Sequence, residues 1–419
     1  MPTEVRPIRD DELPAWVDAV STGFLDRPDV ARVADEVGRH WDLGRVRSAR
    51  EEDRIVGTLR SWAGRLTIPG CVEIPASSVT GVTVAPTHRR RGILGQLVGS
   101  EHAAARERGE LVAILFASEY PIYGRFGYGP ATSAASWTVR AGQTRVRGAD
   151  AAGPGRLELA PTDHATLEIC REVYDTWRAR QPGEVWRRPI TWEDDFGLSL
   201  DVWNKRWKGF VVLHRDPSGA VDGYVRYHAE DHWADRQPAN TLIVDDLHGL
   251  SDEAVASLWR YVLGIDWVTT VRAERRSPAD RVPWLLTNAR AASVGDVGDG
   301  LWLKLLDVPR ALEARRYEST GCLVIEVVEH DGRDVAGEPI DRRLRVALDA
   351  SPDGATARET DATPDLTIAA DALGAAYLGG TRLSRAVLRG GVDEHRSGAL
   401  EVADHLFAAF DAPWCSSYF

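Results

Sequence analysis

The sequence predicts a mixed α/β chain of about three domains, and three observations predict it. Residues 82–97 run from an apolar strand carrying Val82 and Val84, through Pro86 and a basic turn, into an amphipathic helix that begins near Ile93. Strands before and after such a helix belong to a mixed sheet with helices packed on it. The strand–turn–helix layout returns at 240–263, and short strands alternate with helices from about 309 onward. At 419 residues, and ~150 residues per domain, one core cannot hold the chain.

The first domain is expected over 1–140. Residues 5–8 read as a strand. Asp10 or Asp11 can cap a helix with Leu13, Trp16, Val17 and Val20 on one face. A second short helix is expected over 27–41, strands near 44–49, 54–66 and 78–85, a helix from 93 to about 108, and strands at 111–116 and 136–140. The Gly- and Ala-rich stretch 141–156 reads as a connector. The second domain, 141–308, should hold helices at 163–179 and 252–263 and strands near 210–214, 220–228 and 240–247. The third, 309–419, should hold strands 322–328, 342–349 and 365–370 and helices 371–377, 381–389 and 398–410.

Composition bounds the function. Hydrophobic residues at 43% and charged residues at 27% are those of a globular protein. Asp and Glu number 63 against 51 Lys and Arg, a balance of −12 that opposes non-specific nucleic-acid binding and favours cationic partners. Cys71, Cys170, Cys322 and Cys415 stand singly, which indicates neither a zinc site nor a disulfide framework. No apolar signal region and no run of 18 apolar residues is visible, so a cytoplasmic protein without a membrane partner is expected. Of 15 tryptophans, Trp177, Trp186, Trp192, Trp203 and Trp207 cluster; core packing is the favoured reading over an aromatic cation pocket.

The turn 86–92 carries Arg89, Arg90, Arg91 and Gly92 where a helix begins. Amides at a helix start are unpaired and the helix dipole adds positive potential, so the turn is an anion cradle suited to a pyrophosphate. The second copy differs. Its turn reads Asp245-Asp246-Leu247-His248-Gly249-Leu250-Ser251-Asp252 and would repel phosphate. It is read as a degenerate duplicate, against the alternative of two unrelated strand–helix units.

Val82, Val84, Pro86, Arg89, Arg90 and Gly92 match the coenzyme A loop of the GNAT acetyltransferase superfamily, although Leu94 stands where Gly or Ala is preferred. Ser118-Glu119 and Ile122-Tyr123-Gly124-Arg125-Phe126-Gly127-Tyr128-Gly129 resemble the Eis (enhanced intracellular survival) acetyltransferases, which are about this long and end in Phe, as Phe419 does here. The resemblance implies tandem GNAT folds followed by a sterol-carrier-like domain, a homo-hexamer, and acetyl-CoA as cosubstrate with no metal. Arg90, Arg91, Gly92, Ile93, Leu94 and Gly95 would hold the phosphates. Val82, Thr83 and Val84 would pair with the pantetheine arm and polarise the thioester. Ser118 and Glu119, by the family pattern, would flank the cofactor.

Acetyl transfer needs an acid for the departing thiolate and an amine that reaches attack neutral. A phenol stays protonated at neutral pH and can serve. Tyr120, Tyr123 and Tyr128 compete on spacing alone; the resemblance assigns the role to Tyr123. It also assigns the base or relay to the chain-terminal carboxylate of Phe419. That group is too acidic to take a proton from an ammonium directly, so orientation and relay through water are expected. Asp26, with Asp29, Asp35 and Glu36, lies where such proteins shape the acceptor site and would draw small cationic amines such as polyamines or aminoglycosides. Tyr418 stands where some relatives carry an acid, which weakens aminoglycoside binding. The expected activity is N-acetylation by direct transfer in a ternary complex, with a protein-lysine acetyltransferase or a non-catalytic acyl- or lipid-binding protein as alternatives.

Overall fold

A computed structural model describes residues 3–148, 155–199, 206–333 and 339–419. Part of the expected connector (149–154) and Trp203 lie outside the described residues. The first seven-stranded sheet runs, in spatial order, Glu4–Pro7, Val46–Glu51, Arg54–Ile68, Val72–Val84, Val112–Phe116, Leu301–Leu305 and Gly129–Pro130. The second runs Arg156–Ala160, Phe210–Arg215, Val221–Glu230, Asn240–Gly249, Val268–Arg276, Ser133–Arg140 and Ala292–Asp299. The two match position by position. In each, the parallel pair is the fourth and fifth strand, joined by a helix: Ile93–Glu107 in the first, Asp252–Leu263 in the second. The duplication read from 240–263 is therefore the architecture.

The two copies trade their sixth strands. Ser133–Arg140, expected in the first sheet, pairs with Val268–Arg276 and Ala292–Asp299 in the second. Its place beside Val112–Phe116 is taken by Leu301–Leu305. Burial explains the choice. The slot in the first sheet is covered on both faces, and all five residues of Leu-Trp-Leu-Lys-Leu are buried there. Ser133–Arg140 alternates buried and open positions and suits a strand with one covered face.

The third unit packs five strands in the order Gly354–Glu359, Pro339–Ser351, Gly321–Arg333, Leu366–Ala369 and Val392–Glu394. One apolar core joins it to the first sheet, with Leu66, Ile74 and Leu303 against Ile325, Ile368 and Leu373. The helix Ala370–Ala376 crosses so closely that a Cβ on Gly374 would lie 2.2 Å from the Leu303 carbonyl oxygen. Residues 383–389 form a 3-10 helix, and the last helix stops at Phe407. There the buried Arg315 guanidinium donates to the carbonyls of Tyr377, Leu406 and Phe407, supplying donors to a helix end that lacks its own.

The helix Leu13–Gly23 buries Leu13, Trp16, Val17 and Val20 as expected, but neither Asp10 nor Asp11 caps it. Residues 10–12 make a 3-10 turn, in which the Glu12 carboxylate takes the Arg9 amide at 2.8 Å and is clasped by Arg6 at 2.7 Å. Of the clustered tryptophans, Trp192 is sealed in the second unit's core, with Trp177 and Trp207 packed around it.

Candidate active site

Strand Val72–Val84 does not stay zipped to its parallel neighbour. Pairing with Val112–Phe116 covers only Ala76, Ser77 and Ser78. Beyond them a bulge at Gly81 (φ +59°) bends the strand away, and Thr58 Oγ1 donates to the Gly81 carbonyl at 2.8 Å. The splayed strands leave the backbone of residues 79–84 as an open edge along a V-shaped cleft.

The basic turn stands at the head of the cleft. After the 3-10 turn Pro86–His88, Arg90 (φ +62°) and Gly92 (φ +77°) take left-handed backbone. Gly92 is the N-cap of Ile93–Glu107 and has no side chain to offer its amides. Glu101 fixes that helix to the sheet: fully buried, its carboxylate accepts from Ser61, Ser77, Arg47 and Arg108. Burial alone would raise its pKa, but the bonds from Ser61 and Arg47 outweigh it and hold the group below its usual value.

A cavity of about 870 Å³ fills the cleft. Its walls include Val82, Thr83, Val84, Arg90, Gly92, Ile93, Leu94, Gly95, Ser118, Glu119, Tyr123 and Phe419, so these expected residues meet in one space. Two do not. Arg91 turns aside to an ion pair with Glu51. Asp26 lies outside the lining, exposed, its carboxylate taking the Arg27 amide at 2.8 Å. The acidic stretch after it serves its own helix: Asp29 caps Val30–Gly38, and Asp35 and Glu36 pair with Arg39. Sequence reasoning missed Gly23, Phe24, Ile122, Arg125 and Phe126 in the wall. Ile122, Arg125 and Phe126 carried a signal, since they flank Tyr123 in the quoted motif, and Phe24 is an aromatic left exposed at a helix end.

The three tyrosines separate cleanly. Tyr120 is 54% exposed and packs edge-on against Trp302. Tyr128 is sealed, its hydroxyl 2.9 Å from Nε2 of His102, whose pKa burial drives well down. Tyr123 alone of the three lines the cavity, and its hydroxyl has no hydrogen-bond partner among the described residues. Burial, helped by the Glu119 charge, pushes its pKa up to about 12.

The chain end reaches the cavity from the far side. The Phe419 ring packs on Trp62 (4.7 Å) and Phe116 (5.0 Å), and Tyr418 packs on Phe116 (4.9 Å). The approach is anchored at every step. Glu184 accepts the Ser416 amide and hydroxyl, both at 2.7 Å; Arg187 donates to Ser416 and Ser417; Trp414 Nε1 donates to the Arg275 carbonyl at 2.7 Å. An open helix start, a free strand edge, an unpartnered phenol and a chain terminus share one cleft, a set fitted to holding a thioester carrier against an amine.

Residues 4–131 and 183–305 match families each described as an acetyltransferase (GNAT) domain, and residues 308–416 match a sterol carrier protein domain. A Streptomyces griseus protein named as an N-acetyltransferase is 42% identical over 427 residues, covering 100% of both chains. The N-acetyltransferase Eis of Mycobacterium tuberculosis is 34% identical over 367 residues, covering 86% of this chain and 84% of its own. The crystal structure of Eis1 from Mycobacterium abscessus superposes with a TM-score of 0.83 at 33% identity, covering 99% of this chain and 100% of its own.

The chain belongs to the Eis family of GNAT N-acetyltransferases.

Acetyltransferases of this type use acetyl-CoA. Within the Eis fold of this chain the second copy is a closed version of the first. Its splayed strands are bridged by Arg276, which donates to the Leu247 carbonyl at 3.0 Å and lies over the Trp414 ring. Asp246, in the acidic turn, is buried and accepts from Arg187, Tyr224 and His248. Burial opposes its ionisation, but the Arg187 charge prevails and holds it well below the carboxylate range. The same Arg187 grips the tail, so the second Eis copy clamps the segment that enters the first. No group of metal-ligating side chains and no helix long and apolar enough to cross a membrane occurs among the described residues.

Proposed function

We propose that this Eis-family chain transfers the acetyl group of acetyl-CoA directly to a primary amine held with it in the first unit's cleft. The observation that carries the reading is the convergence of the Gly92 helix start, Tyr123 and Phe419 on one cavity. The diphosphate would sit on the amides of residues 93–95, with Arg90 beside it. The pantetheine arm would run along the open edge at 79–84, and an amide there would polarise the carbonyl. The amine nitrogen bonds to the carbonyl carbon, the carbon–sulfur bond breaks, and the thiolate takes the Tyr123 proton. Burial that raises the phenol's pKa raises that of the nascent thiol too, so the two remain within reach of proton transfer. The amine's surplus proton leaves through water towards the Phe419 carboxylate.

Direct transfer is favoured because no cysteine lines the cavity to carry the acyl group. Polyamines and aminoglycosides, the acceptors expected from an acidic entrance, draw no support from Asp26, which is outside the cavity, or from its acidic neighbours, which are engaged in capping and ion pairs. Assembly with further copies is part of the proposal, because the edge strand Ala292–Asp299 exposes Val294 and Val297 that a neighbour would cover. Light scattering that finds only monomer would remove that part. Calorimetry with coenzyme A, followed by thiol release from acetyl-CoA over a panel of amines, tests the rest. Absence of binding heat from a folded protein would sink the proposal.

A further inference from the structure

On the face of the first sheet away from the helix Ile93–Glu107, two arginines stand behind the cavity wall, neither of them among its lining residues, with no carboxylate in contact among the described residues. Arg60 and Trp62 alternate on strand Arg54–Ile68 and share the face away from the helix Ile93–Glu107, since the residue between them, Ser61, turns towards that helix to bond Glu101. Arg60 lies across the ladder from Thr80, a cavity-lining residue. Its guanidinium sits 4.1 Å above the Trp41 ring and 5.0 Å from the Trp62 ring. Arg188, from the second unit, lies 4.2 Å over Trp62, the same ring against which Phe419 packs.

Neither arginine has a carboxylate within 4 Å among the described residues, the chain-terminal one included, and Arg60 makes no hydrogen bond there. Nε of Arg188 is buried without a partner. The contrast with other arginines in this chain is plain: Arg47, Arg178, Arg187 and Arg276 all have carboxylates at 2.5–2.9 Å. Desolvation lowers the pKa of both groups, Arg60 well below its usual value with the Arg188 charge adding to the effect, and Arg188 to about 10 against the opposing pull of the more distant Asp194 charge. Two neighbouring, partly desolvated cations are destabilising unless an anion joins them. Planar guanidiniums fork onto carboxylate or phosphate oxygens, so the missing partner has that shape.

We infer that Arg60 and Arg188 form an anion subsite on the acceptor side, and that the acceptor carries a carboxylate or phosphate in addition to its amine. This deepens the proposed acetyl transfer and rests on it. The amine would lie between the thioester and the Phe419 carboxylate, and the anionic group would lie over Trp62.

The test is thiol release with matched acceptors: aminohexanoate against hexylamine, and phosphoethanolamine against ethanolamine. The wild-type enzyme should prefer the anionic member of at least one pair by about tenfold or more in kcat/KM, and the pair that shows it separates carboxylate from phosphate. Arg60→Met and Arg188→Met should each erase most of that preference through KM, leaving the heat of coenzyme A binding unchanged. Equal or inverted preference in the wild type, or a preference that survives both substitutions, would overturn the subsite. Should no amine in the panel turn over, thermal shift with adipate and with inorganic phosphate, under saturating coenzyme A, decides it. Stabilisation by either anion that the double variant loses sustains the subsite, and no stabilisation by either ends it. Loss of coenzyme A binding itself counts against the proposed activity, not against the subsite.

Discussion

The two copies of the acetyltransferase fold meet the same physical problem, a helix start with unpaired amides at the mouth of splayed strands, and solve it in opposite ways. In the first copy the N-cap is Gly92, which offers no oxygen, and arginines surround it. In the second the N-cap is Ser251, whose hydroxyl accepts the Ala254 amide at 3.1 Å, and Asp252 and Glu253 fill the first turn. The chain's own oxygens occupy the place a phosphate would take. The cleft follows suit, open in the first copy and plugged by Arg276, Trp414 and the Asp246 cluster in the second. On the proposed reading the first helix start is an unfinished cap, and the second shows the same fold with the cap completed.

The largest effect should come from Tyr123→Phe. If turnover belongs to the first cleft, kcat falls by about a hundredfold or more while coenzyme A affinity holds; an unchanged kcat would break the contrast between the copies. The pH profile sharpens it. A pKa near 12 keeps the phenol protonated below that value, so kcat should not decline through Tyr123 ionisation until pH rises towards 12. Next is the clamp. Glu184→Gln leaves the tail's Ser416 amide and hydroxyl with a weaker acceptor, and kcat/KM should drop about tenfold with unchanged coenzyme A heat; loss of cofactor binding instead would mean that the second copy supports the fold and not the chain end. Gly92→Ala forces a side chain into left-handed backbone at a strain of roughly 1–2 kcal/mol, and the coenzyme A Kd should rise up to about tenfold. The smallest is Ser251→Ala, expected to lower stability by ~1 kcal/mol with no change in cofactor affinity; a change in affinity would show that the second helix start is not closed after all.

Local pattern made much of this readable. The helix at 252–263 and the strand at 240–247 were visible because their apolar periods are regular and Ser251 marks the boundary. The basic turn at the helix start was visible because Pro86, the arginines and Gly92 lie within a few residues of each other. What could not be read is non-local. Nothing in Ser133–Arg140 announces that its partners lie 130 or more residues away, since pairing in a sheet is set by which slot demands continuous apolar burial. Asp26 resembled a substrate carboxylate because sequence gives its charge and not its direction. Arg91 was one of three arginines in a turn, and only geometry hands it to Glu51. Arg60 and Arg188 carry no spacing signal at all, coming from different units to one tryptophan.

The traded strands also bear on how such a chain can change over generations. Leu301, Leu303 and Leu305 are almost wholly buried in the first copy's sheet, yet they are encoded after the last strand of the second copy. Ending the chain before the second copy would remove a central strand from the first, at a loss of roughly 2 kcal/mol for each leucine left unburied. The second copy is thus tied to the first by topology, and any chain shortened at that boundary would first have to find another strand to fill the gap.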